Sequence, residues 1–155
     1  MPKSDNLANA DLNLTFCKTK TLTAASQLWA ACVIVTVSNT GAITITELSG
    51  YNYMRELVEQ TGESYPGVLG SASGRAITNV RRFSFAKAVG GPWQRFNGIA
   101  FYDSQTGGNL RYWGYLTLSE SEKSAGGKLV EEGESLYFDP GAFRVEVLDH
   151  DVALE

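Results

Sequence analysis

GIAFYDSQTGGNLRYWGYLTL, residues 98–118, sets the fold of this chain. Two apolar runs, Gly98 to Tyr102 and Leu110 to Leu118, flank Ser104, Gln105, Thr106, Gly107, Gly108 and Asn109. Alternating strands around a Gly- and Asn-rich turn spell a β-hairpin. The spacing predicts strands over 93–102 and 110–118. The stretch holds no obvious catalytic constellation, so it reads as scaffold.

Moving outward, the same grammar repeats. Cys32-Val33-Ile34-Val35-Thr36-Val37 is apolar and β-branched, as in a buried strand. Ser38-Asn39-Thr40-Gly41 is turn chemistry, and Ala42-Ile43-Thr44-Ile45-Thr46-Glu47 alternates like a half-buried strand. Together they predict a second hairpin, ended by Gly50. Tyr51 to Gln60 carries both strand-like and helix-like spacing; its β-favouring residues between turns favour a strand. Residues 61–74 are rich in Gly, Ser, Tyr and Pro and form a loop long enough to meet a partner. Ala76 to Phe85 gives one or two strands, and Gly90-Gly91-Pro92 breaks the chain. Residues 119–134 are charged and Gly-containing. Ser135 to Phe138 is a short strand, Asp139-Pro140-Gly141 a turn, and Ala142 to Leu148 a closing strand with Phe143, Val145 and Val147 on one face. Short strands between turn clusters predict an all-β fold, a single compact β-sandwich or partly closed barrel. Residues 1–20, polar and Asn-rich, read as an extended N-terminal arm, and 21–155 as the β-sandwich domain. Thr23 to Gln27 could form a helical turn. No repeat of fixed period cuts the chain.

Composition narrows the function. The chain has 155 residues, 43% hydrophobic and 19% charged, with net charge −4. One domain of this length buries enough surface to fold without disulfide or metal. Charged residues fall below the common ~25%, as expected where much surface is strand, turn or subunit contact. Arg75, Arg81 and Arg82 are the nearest thing to a basic cluster and are too few for a nucleic-acid footprint. Cys17 and Cys32 fit neither a zinc module nor a redox pair, and Cys32 reads as a buried small hydrophobe. The opening MPKSDNLANADLNL lacks a signal peptide's apolar core. The run LWAACVIVTV is too short to span a bilayer, so no membrane partner is expected.

Reactive groups are sparse. His150, between Asp149 and Asp151, is the sole histidine, and no second set completes a metal shell. A nucleophilic triad would have to run through that residue near the C-terminus. Asp103, Glu131, Glu132, Glu134 and Asp139 fall in or near turns with nothing to pair them across a cleft. Gly70-Ser71-Ala72-Ser73-Gly74 is neither a nucleophile elbow nor a phosphate loop. Asn13-Leu14-Thr15 matches a glycosylation acceptor by chance. The expectation is a non-enzyme with no catalytic, cofactor-binding or metal residues and no cofactor. Tyr112, Trp113 and Tyr115 crowd one strand, opposite Trp93, Phe96, Phe101 and Tyr102. They read either as cross-strand core packing or as a face for a sugar or a neighbouring subunit. Tyr112 points away from Trp113 and Tyr115.

Ordered segments of the second half resemble a family of small bacteriophage virion proteins, commonly labelled tail-fibre or minor structural proteins. They are Gly98-Ile99-Ala100-Phe101-Tyr102-Asp103, Gly107-Gly108-Asn109-Leu110, Tyr112-Trp113-Gly114 with Leu116-Thr117, then Gly133 to Phe138 and Pro140-Gly141-Ala142-Phe143. Upstream, Thr46-Glu47-Leu48-Ser49-Gly50 followed by Tyr51 to Arg55 is similar to the family's Thr-Glu-Val-Ser-Gly and Tyr-x-Arg. The resemblance spans about residues 28–148. Glu122 to Lys128 departs from it as an insertion, and the N-terminal arm departs from the family's helical start. It implies a virion component made in the bacterial host cytoplasm, with other phage structural proteins as partners. The favoured expectation is a head decoration (cement) protein stabilising the capsid as a homo-oligomer, with a trimer the expected count. The compact domain and arm, without a coiled-coil or β-helical shaft, carry that choice. The alternatives are a small tail or tail-fibre-associated protein of the adsorption apparatus, and a carbohydrate-binding module using Tyr112, Trp113 and Tyr115.

Overall fold

The structure, a computed structural model, describes residues 25–61, 67–73 and 76–146. The predicted arm over 1–20, the start of the turn at Thr23, Cys17, Arg75, Val147, Leu148 and His150 lie outside the described residues.

The organising element is β1 (Gln27–Val37). Its middle is apolar at every position because both faces are covered. Ala30 and Cys32 enter the main core, while Ala31, Val33 and Val35 enter a second cluster on the other face. Along one edge run two strands in succession. β2 (Ile43–Glu47) pairs with the second half of β1, Val35 opposite Ile45, and β3 (Glu56–Gln60) pairs with the first half, Trp29 opposite Leu57. The chain leaves that edge only over residues 48–55. β6 (Gly98–Tyr102) lies along the other edge, Ala31 opposite Ala100, and β7 (Leu110–Tyr115) lies outside it, Ala100 opposite Trp113. All pairings are antiparallel.

A second layer faces this sheet. β4 (Ala76–Thr78) pairs with β9 (Arg144–Glu146), and β5 (Phe83–Ser84) with β8 (Tyr137–Phe138). Phe83, Phe85, Trp93, Phe96, Phe101 and Phe143 fill the space between the layers. Phe143 meets Phe83 and Phe101 edge-on at 5.6 and 5.7 Å, the favoured approach of aromatic quadrupoles. The fold is therefore all-β and layered. The large sheet stays open, with β2 and β3 at one end and β7 at the other, so it forms no closed barrel.

Several boundaries differ from the sequence reading. The strand expected over Tyr51 to Gln60 begins only at Glu56, because Tyr51 and Asn52 adopt positive φ (51° and 65°) in a tight turn. The strand expected from Trp93 begins at Gly98. Residues 93–96 turn instead to the 128–130 segment, with Trp93 N–H donating to Val130 O and Phe96 N–H to Lys128 O. β7 ends at Tyr115, and Leu116 N–H carries the ladder one step further to Asn97 O. The charged 119–134 segment holds a short helix, α1 (Glu120–Ser124), started by a capping box between Ser119 and Glu122.

Two asparagines replace missing backbone partners. Asn97 follows the β1 ladder past the end of β6. Its Oδ1 accepts the Val35 N–H at 2.7 Å and its Nδ2 donates to Val35 O at 3.0 Å. The side-chain amide thus does what a peptide of the next residue would do. Asn97→Ala leaves both Val35 groups unpaired beside a buried strand. We expect a loss of about 2 kcal/mol, read as a lower urea midpoint with unchanged slope.

Asn79 is the deeper case, 1% exposed between the two ribbons. Its Nδ2 lies within bonding distance of the carbonyls of Arg81, Phe138 and Asp139 at 3.0, 3.2 and 2.8 Å. Its Oδ1 accepts Phe143 N–H at 2.9 Å. Its backbone N–H donates to Phe143 O and its carbonyl accepts from Gly141 N–H.

Candidate interaction surface

The opening hairpin turn, residues 103–109, is held from two sides. Asp103 Oδ1 accepts Asn109 N–H at 2.7 Å, and Oδ2 accepts Asn109 Nδ2 and both Nε and Nη2 of Arg111. Gly108 permits this: its φ is +72°, and a Cβ there would sit 2.6 Å from Asp103 Oδ1. Burial alone would raise the Asp103 carboxyl. The Asn109 and Arg111 donors outweigh it and hold the group below the ordinary aspartate range. The sign follows from linkage. A depressed folded value gives stability that is present above the unfolded aspartate range and lost as pH falls through the folded value. Asp103→Asn should therefore lower stability at neutral pH by about 1 kcal/mol, read as a lower urea midpoint. The difference from the parent should vanish at strongly acidic pH.

From the other side the turn is gripped by Arg55, which is buried. Its Nε and Nη2 bind both oxygens of Glu47, at 2.9 and 2.7 Å. Its Nη1 donates to the carbonyls of Ser104 and Gly107 at 2.6 and 2.8 Å. The guanidinium lies 3.8 Å from the centre of the Tyr102 ring. Glu47 Oε1 also accepts the Tyr53 hydroxyl, which in turn accepts the Cys32 N–H. Burial pushes the Tyr53 phenol far up, so it stays a donor to Glu47. The break between β2 and β3 is filled by this chain of bonds, which ties three parts of the sheet to the turn. Beside it an open groove of about 430 Å³ exposes Ser49, Met54, Gln105 and Thr106.

The three aromatic residues of β7 divide as their parity predicts. Tyr112 faces the main core and helps line an apolar cleft of about 240 Å³ with Leu28, Leu69, Ile77, Phe101 and Val145. Trp113 is buried on the outer face against Ala100, and Tyr115 stands edge-on to it at 5.5 Å, 58% exposed. Only Tyr115 of the three is an exposed side chain. The opposed aromatics Trp93, Phe96 and Phe101 are core, and Tyr102 lies under Arg55. The outer face ends in an exposed apolar pair, Val37 opposite Ile43.

The remaining candidates do not converge. Glu132 accepts Gly90 N–H, Glu134 accepts Glu131 N–H, and Asp139 pairs with Arg82 at 3.2 Å in the open. Arg82 also covers the Tyr137 ring at 3.8 Å. Among the described residues no group of three His, Cys, Asp or Glu side chains could hold a metal ion. Cys32 is a buried thiol raised chiefly by desolvation. Sequence reasoning missed Arg55, Asn79 and Asn97 as structural centres; only the Thr-Glu and Tyr-x-Arg echo pointed near the first.

Set against known proteins, residues 2–145 match the family model described as podophage GP4 fiber I protein gp80. No curated protein matches the chain.

Proposed function

The chain belongs to the podophage GP4 fiber I protein gp80 family, and from that premise we propose that it is a small fibre-associated structural protein of the adsorption apparatus. It is a phage virion structural protein. The finer placement rests on the family match, which covers nearly the whole described fold and is described as a fibre protein. That description favours the tail-fibre placement over the capsid decoration expected from the compact domain and arm. The proposed work is contact, with other virion proteins and with further copies of itself, and not catalysis. The Asp103 carboxylate, one of the five acids in or near turns, is committed to Asn109 and Arg111. The carbohydrate-module alternative is left with Tyr115 as its one exposed aromatic, since Trp113 is buried on the outer face and Tyr112 is half-buried against the main core. Synthesis in the host cytoplasm belongs to the same reading.

The test is fractionation of purified virions into heads and tails, followed by mass spectrometry of each. The protein should travel with tails. Recovery with heads alone, at a stoichiometry following capsid lattice sites, would reverse the placement.

A further inference from the structure

The large sheet has two ends, and they differ. β7 begins at a register shift and carries Arg111, features that blunt a strand edge. β2 has neither. It reads Ile43-Thr44-Ile45-Thr46-Glu47, pairs with β1 in unbroken register, and holds no proline or lysine. Only Glu47 is charged, and that charge is taken by Arg55.

The direction of the free backbone groups follows from the ladder. Ser38 N–H donates to Ala42 O, and Leu48 N–H to Cys32 O. Antiparallel pairs alternate between bonded and non-bonded. The bonded pairs between these two points are therefore Thr36 with Thr44 and Ile34 with Thr46. Ile43, Ile45 and Glu47 consequently aim their N–H and C=O away from β1. Nothing in the described sheet pairs with them, since β2 is its end strand.

We infer that this edge is a joint between two copies of the chain, β2 against β2 in antiparallel register about Ile45. The strand is its own complement. Turned about a two-fold axis at Ile45, the outward groups of Ile43, Ile45 and Glu47 meet those of Glu47, Ile45 and Ile43 of the second copy as bonded pairs. Threonine then faces threonine across the other face, a favourable cross-strand pair. On the outer face the apolar row of Val35 and Ile45 continues across the axis into Ile45 and Val35 of the second copy. The self-association named under the proposed function gains a surface here. It can fail while the fibre placement stands, because it is read on the isolated protein and not on virions.

Sedimentation velocity of the full chain over a concentration series tests it. The wild type should show a monomer–dimer equilibrium. Ile43→Pro removes one outward N–H and leaves the β1 ladder donors of Thr44 and Thr46 in place. It should abolish the dimer while preserving the thermal unfolding curve. Ile45→Cys in a Cys17→Ser background should cross-link to a dimer on mild oxidation, since a bonded pair sets Cα atoms at about 5.5 Å, within disulfide reach. If Ile43→Pro fails to fold, the cross-link decides. An edge reserved for another virion protein would leave the wild type monomeric throughout. That result, a dimer indifferent to Ile43→Pro, or no cross-link at Ile45 would each overturn the inference.

Discussion

Asn79→Ala should remove a large part of the protein's stability, and Asn79→Asp should prevent folding. The Asn79 side chain is enclosed, and its amide serves the carbonyls of Arg81, Phe138 and Asp139 and the N–H of Phe143. Alanine leaves these groups in a space sealed from water. A buried group left unpaired costs about 1–3 kcal/mol, and several share the loss here. Allowing for partial relaxation, we expect about 4 kcal/mol against a typical total of about 5–15 kcal/mol. Aspartate is worse in kind. It has no donor when ionised, so it would set a negative charge against carbonyl oxygens. The readouts are urea unfolding followed by tryptophan fluorescence for Asn79→Ala and the soluble yield for Asn79→Asp. A change under about 1 kcal/mol in the alanine variant would show that water or a local shift replaces the amide.

Arg55→Ala carries the second large effect. The guanidinium is the shared ligand of Glu47, Ser104 and Gly107. Its removal strands a carboxylate whose side chain is 26% exposed, and frees the hairpin turn. Breaking a buried pair by deleting one partner costs about 3–5 kcal/mol; the partial exposure of Glu47 argues for the lower end. Arg55→Lys should recover little, because a single ammonium cannot span both carboxylate oxygens and two carbonyls. Hydrogen exchange would separate this loss from a general one. The turn amides of 103–109 should exchange faster by a larger factor than those of β5 and β8. Equal acceleration everywhere would show that Arg55 does not act through the turn.

Local pairings were legible in the sequence because alternation and turn chemistry encode them directly. The hairpins β1–β2 and β6–β7 stand where Val33 to Val37, Ile43 to Glu47 and the Gly107-Gly108-Asn109 turn put them. The ribbons β4–β9 and β5–β8 were legible as strands but not as partners, since Ile77 meets Val145 and Phe83 meets Phe138 across long stretches of chain. Ser119-Glu120-Ser121-Glu122 carries a capping signal that a strand-only reading passes over. Asn79 was hidden for a different reason. An asparagine between Thr78 and Val80 looks like any solvent-facing strand residue until the 138–143 segment closes over it. Arg55 was hidden in the same way, because its partners sit on β2 and on a turn about fifty residues later. For the surface, parity correctly separated Tyr112 from Trp113 and Tyr115, but burial of Trp113 depends on Ala100 across the ladder.

Because β1 is bordered on both sides, its completion depends on the order in which the chain is made. β2 follows it after a short turn, but β6 arrives roughly sixty residues later, about 3–12 seconds at ordinary rates of translation. Over that interval the long apolar strand β1 stands with one side open. Chaperone occupancy on nascent chains should accordingly peak before residue 98 is released and fall once β6 has docked.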